Sequence, residues 1–105
     1  MTEALVVLVT VPSREVGEDI AAKLVTERLA ACVNVLGPVC SVYRWNDEIC
    51  RDDEHLLVIK TGRERYPALE QHICALHPYS VPEVIALPVE TGSQAYLGWI
   101  FDETR

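Results

Sequence analysis

Leu5-Val6-Val7-Leu8-Val9-Thr10-Val11 is free of charge and rich in β-branched side chains. Such a run predicts a strand buried on both faces or central in a sheet. Pro12 ends it. Ser13 offers an N-cap oxygen, and Glu15 and Glu18 suit a helix start electrostatically. Val16, Ile20, Ala21, Leu24 and Val25 recur at helical spacing, so a helix is expected to about Ala30, with Glu18, Asp19, Lys23, Glu27 and Arg28 outward. Cys32 to Leu36 reads as a second strand, ended by Gly37-Pro38. Val39 to Trp45 and Glu48 to Asp52 read as two hairpin arms about an Asn46-Asp47 turn, since both turn residues tolerate positive φ. Asp52-Asp53-Glu54 is expected to bend or bulge, and His55 to Thr61 to form a further strand broken by Gly62.

Pro67 opens the next helix from a favoured first-turn position, with Leu69, Ile73 and Leu76 as its apolar stripe. His77 precedes Pro78 and so ends it. Val84 to Val89 is a strand whose Pro88 argues for an edge. Thr91-Gly92-Ser93 then leads a terminal helix with Tyr96, Leu97, Ile100 and Phe101 along one side. The order β-α-β-β-α-β plus a helix predicts an α+β, ferredoxin-like sandwich: one antiparallel sheet with helices on one face. The other face, with Trp45, Trp99 and the tyrosines, would lack cover in a monomer, which predicts an oligomer.

Composition narrows the class. A chain of 105 residues fits one domain, spanning 1–105. Half of its residues are hydrophobic, enough to build a core rather than stay disordered. The formal net charge of −7 disfavours nucleic acid and anionic membrane surfaces as partners. The apolar run Ala4 to Val9 is too short to span a bilayer and lacks the flanks of a signal peptide, so the expected compartment is the cytoplasm. Four cysteines without a CxxC pair are expected to be free thiols there.

Five segments, taken together and in order, are specific. They are Ala30-Ala31-Cys32-Val33-Asn34, Ser41-Val42-Tyr43-Arg44-Trp45, Leu57-Val58-Ile59-Lys60-Thr61, His77-Pro78-Tyr79-Ser80-Val81-Pro82-Glu83 and Tyr96-Leu97-Gly98-Trp99. In this spacing the chain resembles the CutA divalent-ion tolerance family over nearly its whole length. The resemblance implies a ferredoxin-like subunit in a tight homotrimer, built by pairing extended strands between subunits. It also implies a link to tolerance of divalent metals, copper above all. Members credited with copper binding carry a Cys before the first-strand Thr and a doubled His before Pro-Tyr. Val9 and Leu76 stand at those positions here, so His77 alone remains of that set. The turn usually read Trp-x-Gly-Lys is Trp45-Asn46-Asp47-Glu48, Cys50 stands where an acid is common, and Ser80 where Glu is common.

Cu(II) and Zn(II) favour imidazole and thiolate ligands. A metal reading therefore groups His77 with Cys32, Cys74 or Glu83; Cys74 and His77 make a C-x-x-H pair, but a closed zinc site needs four ligands. The plainer reading has Cys74 filling space and His77 capping a turn. His55 and His72 are expected at the surface. A two-residue turn pairs Tyr43 with Cys50, which offsets Cys40 from Cys50 by about 10 Å, too far for a disulfide. The acids Asp47, Glu48, Asp52, Asp53 and Glu54 read better as a solvated hairpin than as a Ca²⁺ or Mg²⁺ site.

Lys60 ends an apolar strand. It is expected to bind an anion or act as a base, or else to form a salt bridge to Glu83 or snorkel from the strand end. No P-loop, Rossmann or nucleophile-elbow glycine pattern occurs, and a Cys–His pair lacks an orienting third group, so no enzyme activity is expected. The leading expectation is a trimer tied to divalent-cation tolerance, with no obligatory cofactor. It would bind Cu(II) or another divalent cation weakly in inter-subunit clefts at His77, Glu83, Cys32 and Cys74. Lys60, Tyr43, Trp45, Tyr79 and Trp99 would line those clefts. The alternative is a non-catalytic signalling or scaffold module that binds a small anion through Lys60.

Overall fold

The computed structural model describes residues 2–105. Strand β1 (Ala4–Val11) lies between β3 (Glu48–Gly62) and β4 (Ile85–Pro88), and β2 (Cys32–Trp45) flanks β3, all antiparallel. Helix α1 (Arg14–Thr26) follows β1, α2 (Tyr66–Leu76) follows β3, and α3 (Gln94–Glu103) closes the chain. This is the βαββαβ order with a terminal helix that the patterning predicts.

The sheet separates its faces by residue parity. Val7, Val9 and Val11 on β1 and Leu57 and Ile59 on β3 are fully buried against Ile20 and Leu24 of α1 and Leu69 and Ile73 of α2. Burying side chains of this size stabilises by about 1.5–3 kcal/mol each. Ile100 of α3 packs on Ala4 and Ala31 in a smaller cluster at the sheet end. No helix packs the alternate positions, where Leu36, Ile85 and Leu87 remain exposed.

Ser13 caps α1 as expected, its hydroxyl accepting from the Val16 amide at 3.2 Å. The helix ends at Thr26 rather than near Ala30, because Arg28 turns into the left-handed region at φ 59°. There its guanidinium reaches the carbonyls of Asp102 and Glu103 at the end of α3. The Asn46-Asp47 turn has φ of 50° and 62°, and Tyr43 faces Cys50 as the two-residue turn predicts. Cys40 faces Asp53, and all four cysteines are free.

Gly37-Pro38 does not end β2. The strand continues through a register shift between Leu36 and Val39. Gly37 has φ 144°, and a Cβ there would sit 2.8 Å from the His55 ring, so glycine alone fits. The irregularity expected at Asp52-Asp53-Glu54 is thus carried by the opposite strand, and β3 runs unbroken past the acids. His55 and His72 are half-buried rather than at the surface. β4 is shorter than Val84 to Val89, spanning Ile85–Pro88 at the sheet edge.

Candidate functional site

The chain leaving α2 wraps the end of β1, and His77 fixes it there. The His77 amide caps α2 by donating to the Ile73 carbonyl at 2.8 Å. Its ring is buried, with Nε2 2.8 Å from the Thr10 carbonyl oxygen and Nδ1 3.1 Å from the Tyr79 amide nitrogen. A carbonyl only accepts and an amide only donates, so the neutral ring carries its hydrogen on Nε2. Tyr79 then lies against that ring at 4.6 Å between centroids. Its hydroxyl donates to Glu54 Oε2 at 2.7 Å. One imidazole therefore ties β1, α2 and the 79–83 loop into a single wall.

Between this wall and the hairpin lies a groove of about 560 Å³. Tyr43, Trp45 and Tyr79 supply aromatic surface to it, and Asp52, Glu54 and Glu83 supply carboxylates. The Tyr43 hydroxyl donates to Asp52. That hydrogen bond, then desolvation and the nearby negative charge, pushes the Tyr43 phenol up to about 12. Burial, then the bond to Glu54 and its charge, raises the Tyr79 phenol as well. Both hydroxyls stay protonated at neutral pH, so the groove offers carboxylates and aromatic faces together.

A second cluster occupies the far end of the open face. Cys32 faces Lys60 across β2 and β3, and Lys60 faces Val6 on β1. Lys60 Nζ donates to Asn34 Oδ1. No salt bridge to Glu83 forms, contrary to that expectation for Lys60. Tyr96 of α3 stands beside Cys32. Its phenol is raised by burial, then by the charge of Cys32 and a hydrogen bond to it. Trp99 stacks on Tyr96 at 5.5 Å.

The residues singled out in the sequence thus divide. Tyr79, Glu83, Tyr43 and Trp45 line the groove with His77 buried behind them, while Cys32, Lys60 and Trp99 gather at the other end. Thr10 and Val6 mark the two ends on β1, about 13 Å apart by strand rise. Cys74 is exposed in the last turn of α2 while His77 turns inward, so the C-x-x-H pair does not converge. Among the described residues of one chain, no three His, Cys, Asp or Glu side chains come together as a metal set. A ligand role for His77 would require Nδ1 to release the Tyr79 amide.

Sequence reasoning missed Glu54. It was grouped with solvated acids, yet it is 7% exposed and sits at the groove floor. The period-two pattern Asp52, Glu54, Leu56, Val58, Lys60 was the available signal, because it continues the open face through the acids. Asn34 and Tyr96, the partners of Lys60 and Cys32, were missed as well.

Known proteins are similar to this chain in sequence and fold. The "Divalent-cation tolerance protein CutA" of Thermus thermophilus is 50% identical over 99 residues, covering 94% of this chain and 96% of its own. The crystal structure of CutA from Xylella fastidiosa superposes with a TM-score of 0.97 at 40% identity, covering 99% of this chain and 100% of that one. "Protein CutA, chloroplastic" of Arabidopsis thaliana is 48% identical over 97% of this chain, which spans 56% of that longer protein. No helix among the described residues is long and apolar enough to cross a membrane. The family described as CutA1 divalent ion tolerance protein matches residues 5–103, and with that match, this topology and these relatives, the chain belongs to that family.

Proposed function

We propose that the protein serves divalent-cation tolerance as a non-catalytic homotrimer in the cytoplasm, binding Cu(II) or a similar ion weakly in clefts between subunits. The observation that carries this reading is the open sheet face. Its middle is apolar, with Leu36, Ile85 and Leu87 exposed. One end carries the acidic groove, the other Lys60 and Cys32. Copies packed through such faces bury the apolar middle and bring unlike ends together. A cleft built this way joins Glu83 and His77 of one copy to Cys32 of the next, a donor set that suits Cu(II) better than carboxylates alone.

A chelator-competed Cu(II) titration tests this, run on the wild type, His77→Ala, Glu83→Gln and Cys32→Ser with light scattering throughout. The expected particle has three times the 11.7 kDa chain mass, and all three substitutions weaken binding. A folded monomer, or binding indifferent to all three, overturns the reading.

Lys60 favours a second reading. Among the described residues, its ammonium is partnered by the neutral Asn34 amide alone, with Cys32 across the strand pair. A cation so placed suits a small anionic ligand that the trimer would report to another protein. Anion binding that is abolished by Lys60→Gln and indifferent to chelator would favour this alternative.

A further inference from the structure

Helix α3 is held to the sheet differently from α1 and α2. Those two bury Ile20, Leu24, Leu69 and Ile73 in the main core. Of α3 only Ile100 is buried in the helix, and it sits in a separate small cluster with Ala4 and Ala31. Polar contacts at the C-terminal end add to this grip. Arg65, from the turn before α2, donates through Nε to the Thr104 carbonyl at 2.6 Å. Arg28, just past α1, donates to the carbonyls of Asp102 and Glu103 at 3.5 and 3.4 Å and lies 3.7 Å from the Glu103 carboxylate. Two guanidinium ions thus meet the negative end of the α3 dipole. Both arrive from the ends of α1 and α2, so the clamp stands apart from the apolar middle of the open face.

The approach to α3 allows it to pivot. Val89 is pinned to Ala4, its amide donating to that carbonyl at 3.0 Å. Glu90, Thr91 and Gly92 then run exposed, outside any strand or helix. Ser93 caps the helix from within, its hydroxyl accepting from the Tyr96 amide at 3.3 Å. α3 can therefore swing without losing its own cap. Its interior also holds Gly98, on the side opposite Ile100. Among the described residues, a Cβ there would meet nothing within 4 Å, so packing within the chain does not call for glycine. An interior glycine weakens a helix relative to alanine.

What α3 covers gives such a motion a use. Tyr96 stands beside Cys32, Cys32 faces Lys60 across the strand pair, and Trp99 stacks on Tyr96 at 5.5 Å. We propose that α3 is a latched lid over the Cys32–Lys60 end of the sheet, hinged at Glu90 to Gly92 and locked by Arg28 and Arg65, and that it opens as a unit while the main core stays folded. The lid sets access to that end whichever ligand the end takes, so it rests on neither the metal nor the anion reading.

The test follows hydrogen exchange in the intact protein at constant particle size, by mass spectrometry of α3 and β1 peptides. Amides of α3 should exchange about tenfold faster than those of β1, or faster still. Arg65→Ala deletes the shortest clamp bond and should quicken α3 exchange about tenfold with β1 unchanged. Arg28→Gly serves if that variant does not fold, because glycine keeps the left-handed turn at φ 59° and removes only the guanidinium. Gly98→Ala should slow α3 exchange about fivefold. Alkylation of Cys32 by iodoacetamide should rise and fall with these rates, while the exposed Cys40 reacts alike in every variant. Exchange of α3 in step with β1, or indifferent to the clamp variants, overturns the separate opening. Cys32 alkylation that ignores α3 exchange overturns the role as a lid. A changed particle mass in Gly98→Ala would assign that glycine to a contact between copies and overturn the latch with it. A failed Cu(II) titration leaves all of these rates as they are, so the two ideas fail separately.

Discussion

Leu57 and Val58 are neighbours on β3, yet they serve different parts of the protein. Leu57 is fully buried beneath the helices, whereas Val58 is only half-buried on the open face. The same contrast repeats on β1 between Val7 or Val9 and Val6 or Leu8. Strand geometry alone creates it, because successive side chains point to opposite faces. The covered face is completed by the chain itself and fixes the subunit. The open face is apolar without internal cover, and it carries the acidic groove and the lysine cluster at its ends. Alternate residues of one strand thus divide between the face that the fold covers and the face that the proposed assembly would cover.

Substituting those two neighbours separates the roles, and the first has the largest expected effect. Leu57→Ala should cost about 2–5 kcal/mol, because it leaves a cavity among close-packed side chains. Denaturant unfolding at several protein concentrations would show that loss at each one. Val58→Ala should cost less in dilute protein, with a penalty that grows with concentration as association begins to bury the site. Equal penalties independent of concentration would mean that the open face contributes nothing through assembly.

Gly37→Ala is expected to have an intermediate effect. Its backbone φ of 144° disfavours any side chain, and the new Cβ would meet the His55 ring at 2.8 Å. Strain of this kind costs about 1–3 kcal/mol. The damage should stay local to the place where β2 passes from the helix-covered part of the sheet to the projecting hairpin. A Gly37→Ala, His55→Ala double variant should recover the part due to the ring and retain the part due to φ. Full recovery would show that the backbone conformation carries no cost.

The sequence disclosed the covered face almost completely. Val7, Val9 and Val11 of β1, Ile20 and Leu24 of the α1 repeat and Leu69 and Ile73 of the α2 stripe announce burial by period and are buried, whereas Val25, counted in the same α1 repeat, stands exposed. The hairpin register was equally legible, because Asn46-Asp47 permits a single short turn. Boundaries were harder. Arg28 ends α1 through a left-handed turn stabilised by carbonyls on α3, a partner distant in sequence. Gly37-Pro38 resembled a strand end because these residues disrupt ladders, yet a bulge absorbs them. Glu54 was misread for a related reason. It shares a run with exposed acids, and only the placement of Tyr79 by His77 covers it. Local pattern reports which face a residue occupies, but cover supplied by a distant loop leaves no local trace.

The smallest expected effect concerns the phenols, and it probes the groove against the rest of the molecule. The chain has four tyrosines, and all four phenols are raised above the ordinary value of 10. Tyr43 rises to about 12 chiefly through its hydrogen bond to Asp52, whereas Tyr66 rises to about 12 chiefly through burial and then through Glu70. An absorbance titration should therefore show less ionisation of the folded protein at pH 10 than four free phenols would give. Asp52→Asn removes the charge that Tyr43 faces and should return one phenol toward 10. Glu54→Gln should lower Tyr79 while leaving Tyr66 in place. The stability consequence follows from proton linkage. Each phenol holds its proton more tightly when folded, so its contribution is complete below pH 10. Above that the unfolded chain loses its protons first, and stability declines as pH rises through about 12 for Tyr43 and Tyr66. Ionisation of all four phenols near pH 10 would mean that neither groove hydroxyl is held by its carboxylate.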